Sequence, residues 1–407
     1  MRRTGWAITA GALAAVMIGG GIVAAVRVNA APPPPVLRLS VPDTYVPVPG
    51  PPVPVHQPPQ GSLALQGMGR DLALLDADTP HPIASVAKVL TAYVVLQAHP
   101  LADRFDEGPV LTMTDADVAD YRRVFAEDGS SLPVVAGEKL TERQLLLGLL
   151  LPSANNFADT LGTWVSGGVD QFVARLNSTA QSLGMTHTHY ADPSGFSPDT
   201  VASASDLVIL GQKVLEVPAL AALVATQHAQ LPDGTVLDNL DTLLGTEPGW
   251  LGIKTGNTPQ AGGCLLFAAR RPVGGAQVTL VGAVLGQTDL HAALDAAKTA
   301  VDSGFLGYGV VHPEDFPTVS GQVTTRWGDS SAVHVAVDGG DPAGLPVRMG
   351  TVLRISYSVS PLAAAMPSER VVAVVDGADD QGNRFTWKVA LDRAIARPTA
   401  MWMLFKN

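Results

Sequence analysis

The sequence predicts a mixed α/β body with flanks of different character, and three observations carry that prediction. Apolar runs of helical length alternate with strand-like runs between residues 61 and 305, short alternating segments separated by Gly and Asp turns fill residues 306–407, and an uncharged run followed by a proline-dense stretch precedes both. With 407 residues, 46% hydrophobic and 15% charged, the chain has the composition of a folded protein and the length of two or three domains of about 150 residues each. A net charge of −11 without any dense basic run argues against nucleic acid as a partner, because affinity for a phosphate backbone comes mainly from clustered Lys and Arg. The single cysteine, Cys264, can form no internal disulfide and no thiolate zinc cage, so stability has to come from packing.

Arg2 and Arg3 precede an uncharged stretch from Thr4 to Val26 that Arg27 closes. Twenty-three residues at about 1.5 Å each can cross a hydrocarbon layer of about 30 Å, while Val28-Asn29-Ala30 before Ala31 has the small-residue form of a cleavage site. A transmembrane anchor and a removable signal peptide are both consistent with residues 1–31, and both export the rest of the chain. Residues 32–60 are proline-rich: twelve of the 28 residues from Pro32 to Pro59 are proline, which fixes φ and removes donors. The stretch is expected as an extended, polyproline-like linker holding the body away from a membrane.

In the body, Leu63 to Ala77 reads as a strand pair and Ile83 to Gln97 as a buried helix. Ser85 and Lys88, three apart, share one face of that helix, and a lysine held out of water beside a serine can act as its base. Taken alone, the pair is also what a helix start with a capping serine and a solvated lysine looks like. Thr141 with Gln144 three residues on forms a capping box ahead of an apolar helix that Pro152 stops. Ser153-Ala154-Asn155 follows immediately, before a second helix from Phe157 to Val165, and its hydroxyl and amide either point together into a cleft or form an ordinary polar turn. Gly252-Ile253-Lys254-Thr255-Gly256-Asn257 leads into two apolar strands, Cys264–Ala269 and Val278–Leu285, predicted as a hairpin. Lys254 and Gly256 fall on one face by the period of two, and Gly256 would let a ligand backbone approach that edge.

A serine-lysine helix, a Ser-x-Asn loop and a Lys-Thr-Gly strand occur here in that order, with 65 residues from Lys88 to Ser153 and 99 from Asn155 to Lys254. The trio belongs to penicillin-binding proteins and serine β-lactamases. With Leu146-Leu147-Gly148-Leu149-Leu150, Leu183-Gly184-Met185 and Asp192-Pro193-Ser194-Gly195 around it, residues 61–305 resemble the D-alanyl-D-alanine carboxypeptidase family, the low-molecular-weight penicillin-binding proteins of peptidase family S11. The resemblance implies an antiparallel sheet flanked by helices, with a helical subdomain. It also implies removal of the terminal D-Ala from peptidoglycan stem peptides, with no cofactor and no metal. By the same resemblance Ser85 would be the nucleophile, Lys88 its base and Ser153 a proton relay. Asn155 would bind the substrate amide, while Lys254 and Thr255 would take its carboxylate in a strand that Gly256 and Asn257 continue. The backbone amides of Ser85 and Asn257 would form the oxyanion hole.

No Glu occurs between residues 143 and 215, where class A β-lactamases carry their deacylating glutamate, so β-lactams are expected as trapping inhibitors. Three positions depart from the family pattern. Gly286 to Ala293 lacks the arginine that usually pairs with the substrate carboxylate, Asn156 replaces an acidic residue, and Ala202-Ser203-Ala204-Ser205-Asp206 matches only in part. The missing arginine brings endopeptidase or transpeptidase chemistry on the same site into play, and a weakly active peptidoglycan-binding protein is the reading from a different class.

After Phe305, strand patterns at Val319–Trp327, Ala332–Val337, Thr351–Val359, Arg370–Val375 and Arg384–Leu391 predict a small β-rich domain over residues 306–407. Met401 to Phe405 is expected as its final packed strand.

Overall fold

A computed structural model describes residues 4–312, 315–336, 344–380 and 384–406. The chain divides into two compact units, residues 52–309 and a second formed by residues 1–51 together with 310–407.

The first unit is built on a five-stranded antiparallel sheet. Its order is Trp250–Thr258, Gly262–Val273, Ala276–Gln287, Ser62–Gly67, Arg70–Leu75, so the expected hairpins are present and the Lys254 strand is an edge. Strand periodicity sorts the side chains. Leu265, Phe267 and Ala269 join a core with the Leu290–Leu306 helix, whereas Cys264, Leu266 and Ala268 point to the opposite face and join the helical core. At the centre of that second core runs the Lys88–Ala98 helix, entered through a 3₁₀ turn at Ala84–Ala87. Residues Lys88 to Leu96 are all buried, so this helix has no solvent face on which a charge could rest. The Glu142–Leu150, Asn155–Ser166, Val169–Ser182 and Ala204–Glu216 helices pack around it. Thr141 and Gln144 form the expected capping box, with the Gln144 amide donating to Thr141 Oγ1 at 3.1 Å and the Thr141 amide donating to Gln144 Oε1 at 2.9 Å.

The second unit is one seven-stranded antiparallel sheet around a core of Val323, Val372, Val375, Val389 and Leu391. Four of the expected strands form at Ser320–Thr324, Leu353–Val359, Val371–Ala378 and Arg384–Leu391. The fifth spans Ser330–Ala336, and Val337 lies outside the described residues. Two expectations are corrected. The proline-rich linker is not a plain spacer: Val36–Ser40 pairs with Ser320–Thr324 and Thr44–Tyr45 with the Leu353–Val359 strand, because the run between Pro35 and Pro42 holds no proline and keeps all its donors. Met401–Phe405 is not a strand either. It lies in a helix, Ala400–Phe405, started by a Thr399 hydroxyl that accepts from the Trp402 amide at 3.2 Å. A helix spans Thr4–Asn29, and among the described residues no single helix is long and apolar enough to cross a membrane.

Glu142 opens the helix that leads to Ser153, and both of its carboxylate oxygens are buried without a hydrogen-bond partner among the described residues. Burial, reinforced by Asp106, raises its pKa from 4.5 to about 7. The folded chain thus holds this proton more tightly than the unfolded one, and stability falls as pH rises from 4.5 to about 7. Glu142→Gln should leave thermal stability unchanged at pH 4 and raise it at pH 8, by at most about 3 kcal/mol, as followed by denaturant melts at the two pH values.

Candidate active site

The turn that carries Ser85 is held under constraint. Ala84, just before Ser85, has φ +47, a left-handed conformation costly for a residue with a Cβ. Behind it pack two glycines from distant segments. A Cβ on Gly195 would lie 1.8 Å from the Ala84 carbonyl oxygen, and one on Gly256 would lie 2.8 Å from the Ile83 carbonyl oxygen and 3.1 Å from the Ser85 nitrogen. Gly256 therefore makes room for the serine's own turn.

Ser85 is half-buried, and its Oγ lies 2.8 Å from Lys88 Nζ. Lys88 is fully buried, and its second partner is the Ser194 carbonyl oxygen, at 2.9 Å. No carboxylate makes an ion pair with it among the described residues. Burial drives its ammonium well below the ordinary lysine range, the Lys254 charge adds to that, and Asp192 and Asp159 oppose it. These surroundings favour the neutral, basic form of an amine within hydrogen-bond reach of a hydroxyl.

Lys254 is 1% exposed and donates to Thr255 Oγ1 at 3.5 Å. Its pKa falls to about 7, through burial and against the opposing charge of Asp241. Asp241 is itself buried, accepting from the Trp250 indole at 2.8 Å and from the Leu243 amide at 3.1 Å. Asn257 is exposed beyond the glycine, at the end of the same edge strand.

Ser153 is 2% exposed, has φ +72, and its Oγ is buried without a partner among the described residues. A buried hydroxyl without a partner on a residue at positive φ is unusual in a folded chain. Asn155 is the first residue of its helix, and its amide nitrogen would be 3.1 Å from a Cβ placed on Gly129. Asn156 is structural: it accepts from the Leu132 amide at 3.1 Å and donates to the Leu132 carbonyl at 2.9 Å, work that an acidic residue could do only in part.

Ser85, Lys88, Lys254 and Gly256 are thus brought together, and Lys254 is close enough for its charge to act on Lys88. Ser153 and Asn155 sit at the head of a helix packed on the Lys88 helix, but neither hydrogen-bonds Ser85 or Lys88. Sequence reasoning missed Ser194, whose contribution is a main-chain oxygen that no side-chain pattern reports. In the Gly286–Ala293 segment, Gln287 is buried and donates to the carbonyls of Gln60 and Leu285, while Ala293 is fully buried in the core that the Leu290–Leu306 helix forms with Leu265 and Phe267. Neither takes the place of the missing arginine.

Residues 66–288 match the profile of the family described as D-alanyl-D-alanine carboxypeptidase. The chain is 37% identical over 209 residues to the D-alanyl-D-alanine carboxypeptidase DacB2 of Mycobacterium tuberculosis, covering 50% of this chain and 67% of that one. It is 31% identical over 208 residues to a D-alanyl-D-alanine endopeptidase of Pseudomonas aeruginosa, covering 50% and 64%. In fold it is similar to the crystal structure of the Streptomyces K15 DD-transpeptidase, with a TM-score of 0.55 and 28% identity over 62% of this chain and all of that one. With the serine-lysine pair, the Ser-x-Asn segment and the Lys-Thr-Gly edge strand inside the matched span, the chain belongs to the D-alanyl-D-alanine carboxypeptidase family of serine peptidases, peptidase family S11.

Proposed function

We propose that the chain is a serine D,D-carboxypeptidase that removes the terminal D-Ala of peptidoglycan stem peptides through an acyl-enzyme on Ser85. The observation that carries this reading is the buried amine of Lys88, 2.8 Å from Ser85 Oγ and driven toward its neutral form. Lys88 takes the hydroxyl proton as Ser85 Oγ attacks the carbonyl of the scissile D-Ala-D-Ala amide. The backbone amides of Ser85 and Asn257 receive the negative oxygen of the tetrahedral intermediate, a contribution commonly worth about 3 kcal/mol. Collapse breaks the C–N bond, and the proton passes through Ser153 to the departing amine. Water then hydrolyses the ester and returns the proton through Lys88. Asn155 aligns the substrate amide, and Lys254 with Thr255 receives the terminal carboxylate in a cleft from which water is largely excluded. β-Lactams present an amide and a carboxylate in the same relation, so they acylate Ser85 and leave it slowly.

A second reading, endopeptidase or transpeptidase chemistry on the same acyl-enzyme, is favoured by one feature. Gly286 to Ala293 supplies no guanidinium for a free C-terminal carboxylate, which loosens the demand that the substrate end there. For localisation, the outward side chains of the N-terminal helix, including Val16, Met17, Ile18, Ile22 and Val26, are apolar and exposed. They support attachment to a membrane, or an export signal that is removed; both place the enzyme outside the cytoplasm.

A fluorescent penicillin should label the chain covalently, and Ser85→Ala should abolish the adduct; labelling that survives the substitution would remove Ser85 from the mechanism. Release of free D-Ala from a pentapeptide should exceed cleavage of a crosslinked dimer, and the reverse order would select the endopeptidase reading. Gly256→Ala should cut the acylation rate by about 100-fold or more with the fold intact by circular dichroism, because the added methyl displaces the Ser85 turn.

A further inference from the structure

Lys88 has two hydrogen-bond partners, and only one of them reacts. The Ser194 carbonyl, 2.9 Å from Nζ, can only accept, so the amine has to turn an N–H toward it. A neutral amine keeps two N–H bonds and one lone pair, and it can receive the Ser85 proton only when the lone pair faces Oγ. The carbonyl thus sets the rotation of the amine about its last bond.

That carbonyl is held in place by one carboxylate. Asp192 Oδ1 accepts from the amides of Ser194 and Gly195, both at 2.6 Å, from Phe196 at 3.3 Å, and from the Ser194 hydroxyl at 2.8 Å. Its Oδ2 accepts from the Ser197 amide at 2.8 Å and the Thr200 hydroxyl at 3.1 Å. The same turn grips the base's helix a second time, where Thr91 Oγ1, one helical turn beyond Lys88, donates to the Pro193 carbonyl at 2.6 Å. It meets the nucleophile turn as well, through Gly195 against Ala84.

We propose that Asp192 is a positioning residue for the general base: by gathering the turn from Asp192 to Thr200 it fixes the Ser194 carbonyl, which aims the Lys88 lone pair at Ser85. The proposal deepens the acyl-enzyme reading and rests on it. The charged groups that face Lys88 are Lys254 from the edge strand, Asp159 from the Asn155–Ser166 helix and Asp192 from this turn. Asp192 therefore acts twice, on the orientation of the amine through hydrogen bonds and on its protonation through charge.

The two effects separate in the rate of acylation by a fluorescent penicillin, measured on the full chain against inhibitor concentration and pH. Asp192→Ala should lower the limiting acylation rate by about 10- to 100-fold while the concentration giving half-saturation stays within about twofold, since the hydrogen bonds of the carboxylate go to its own turn. Asp192→Asn retains one acceptor oxygen for the turn but loses the charge. It should shift the acid limb of the pH–rate profile to lower pH, by about half a unit or more, because a negative charge near an ammonium favours the protonated form. A role confined to stability would lower the melting temperature and leave the acid limb in place. If wild type is acylated and Asp192→Asn shows neither the shift nor a slower limiting rate, the proposal is overturned; if Asp192→Ala does not fold, the Asn variant alone decides. Failure of the wild type to be acylated would instead overturn the acyl-enzyme reading.

Discussion

Burial of the Lys88 amine without an ion-pair partner is the constraint on which the site depends. An ammonium taken out of water loses its hydration, and without a carboxylate in contact the balance moves toward the neutral amine. The packing that imposes this is ordinary hydrocarbon. Val89, Leu90, Val94 and Val95 are wholly buried around the helix, and the helices on all sides leave Lys88 no path along which to reach solvent. A paired lysine would be a more comfortable structural element and a poorer base. Its two hydrogen-bond contacts, one hydroxyl and one carbonyl, satisfy the polar atoms and place no anion in direct contact with the amine.

The remaining features of the site keep that amine and its serine in register. Two segments far away in sequence converge on the Ile83–Ser85 turn, where Ala84 holds a positive φ: the Asp192 turn through Gly195 and the edge strand through Gly256. Both glycines serve close approach of backbone to backbone. Lys254 adds a second buried amine whose charge presses Lys88 further toward neutrality. Asp241, behind Lys254 and clamped by the Trp250 indole at the start of the same strand, works in the opposite sense and supports the Lys254 charge. Two lysines in one cleft thus take different parts because their surroundings differ.

Much of this was legible in the sequence where chemistry and spacing coincide. The three-residue interval of Ser85 and Lys88 gave a shared helix face, the period of two put Lys254 and Gly256 together, and Thr141 with Gln144 marked a helix start that formed as expected. What was not legible depends on main-chain atoms and on distance. Ser194 meets Lys88 through its carbonyl from 106 residues away, and the hydrogen bonds of Asp192 stay within its own turn. Strand Val36–Ser40 was hidden among prolines because its partner, Ser320–Thr324, lies near the other end of the chain. The terminal Met401–Phe405 run is uniformly apolar, which fits strand and helix equally, and the Thr399 cap decides the outcome.

The most direct test of this account is a carbon-13 NMR titration of the lysine ε-carbons, with the Lys88 signal assigned by its absence in Lys88→Arg. The account predicts that Lys88 loses its proton well below the ordinary lysine value of 10.5, ahead of the exposed lysines. A Lys88 signal that titrates together with those surface lysines would contradict it.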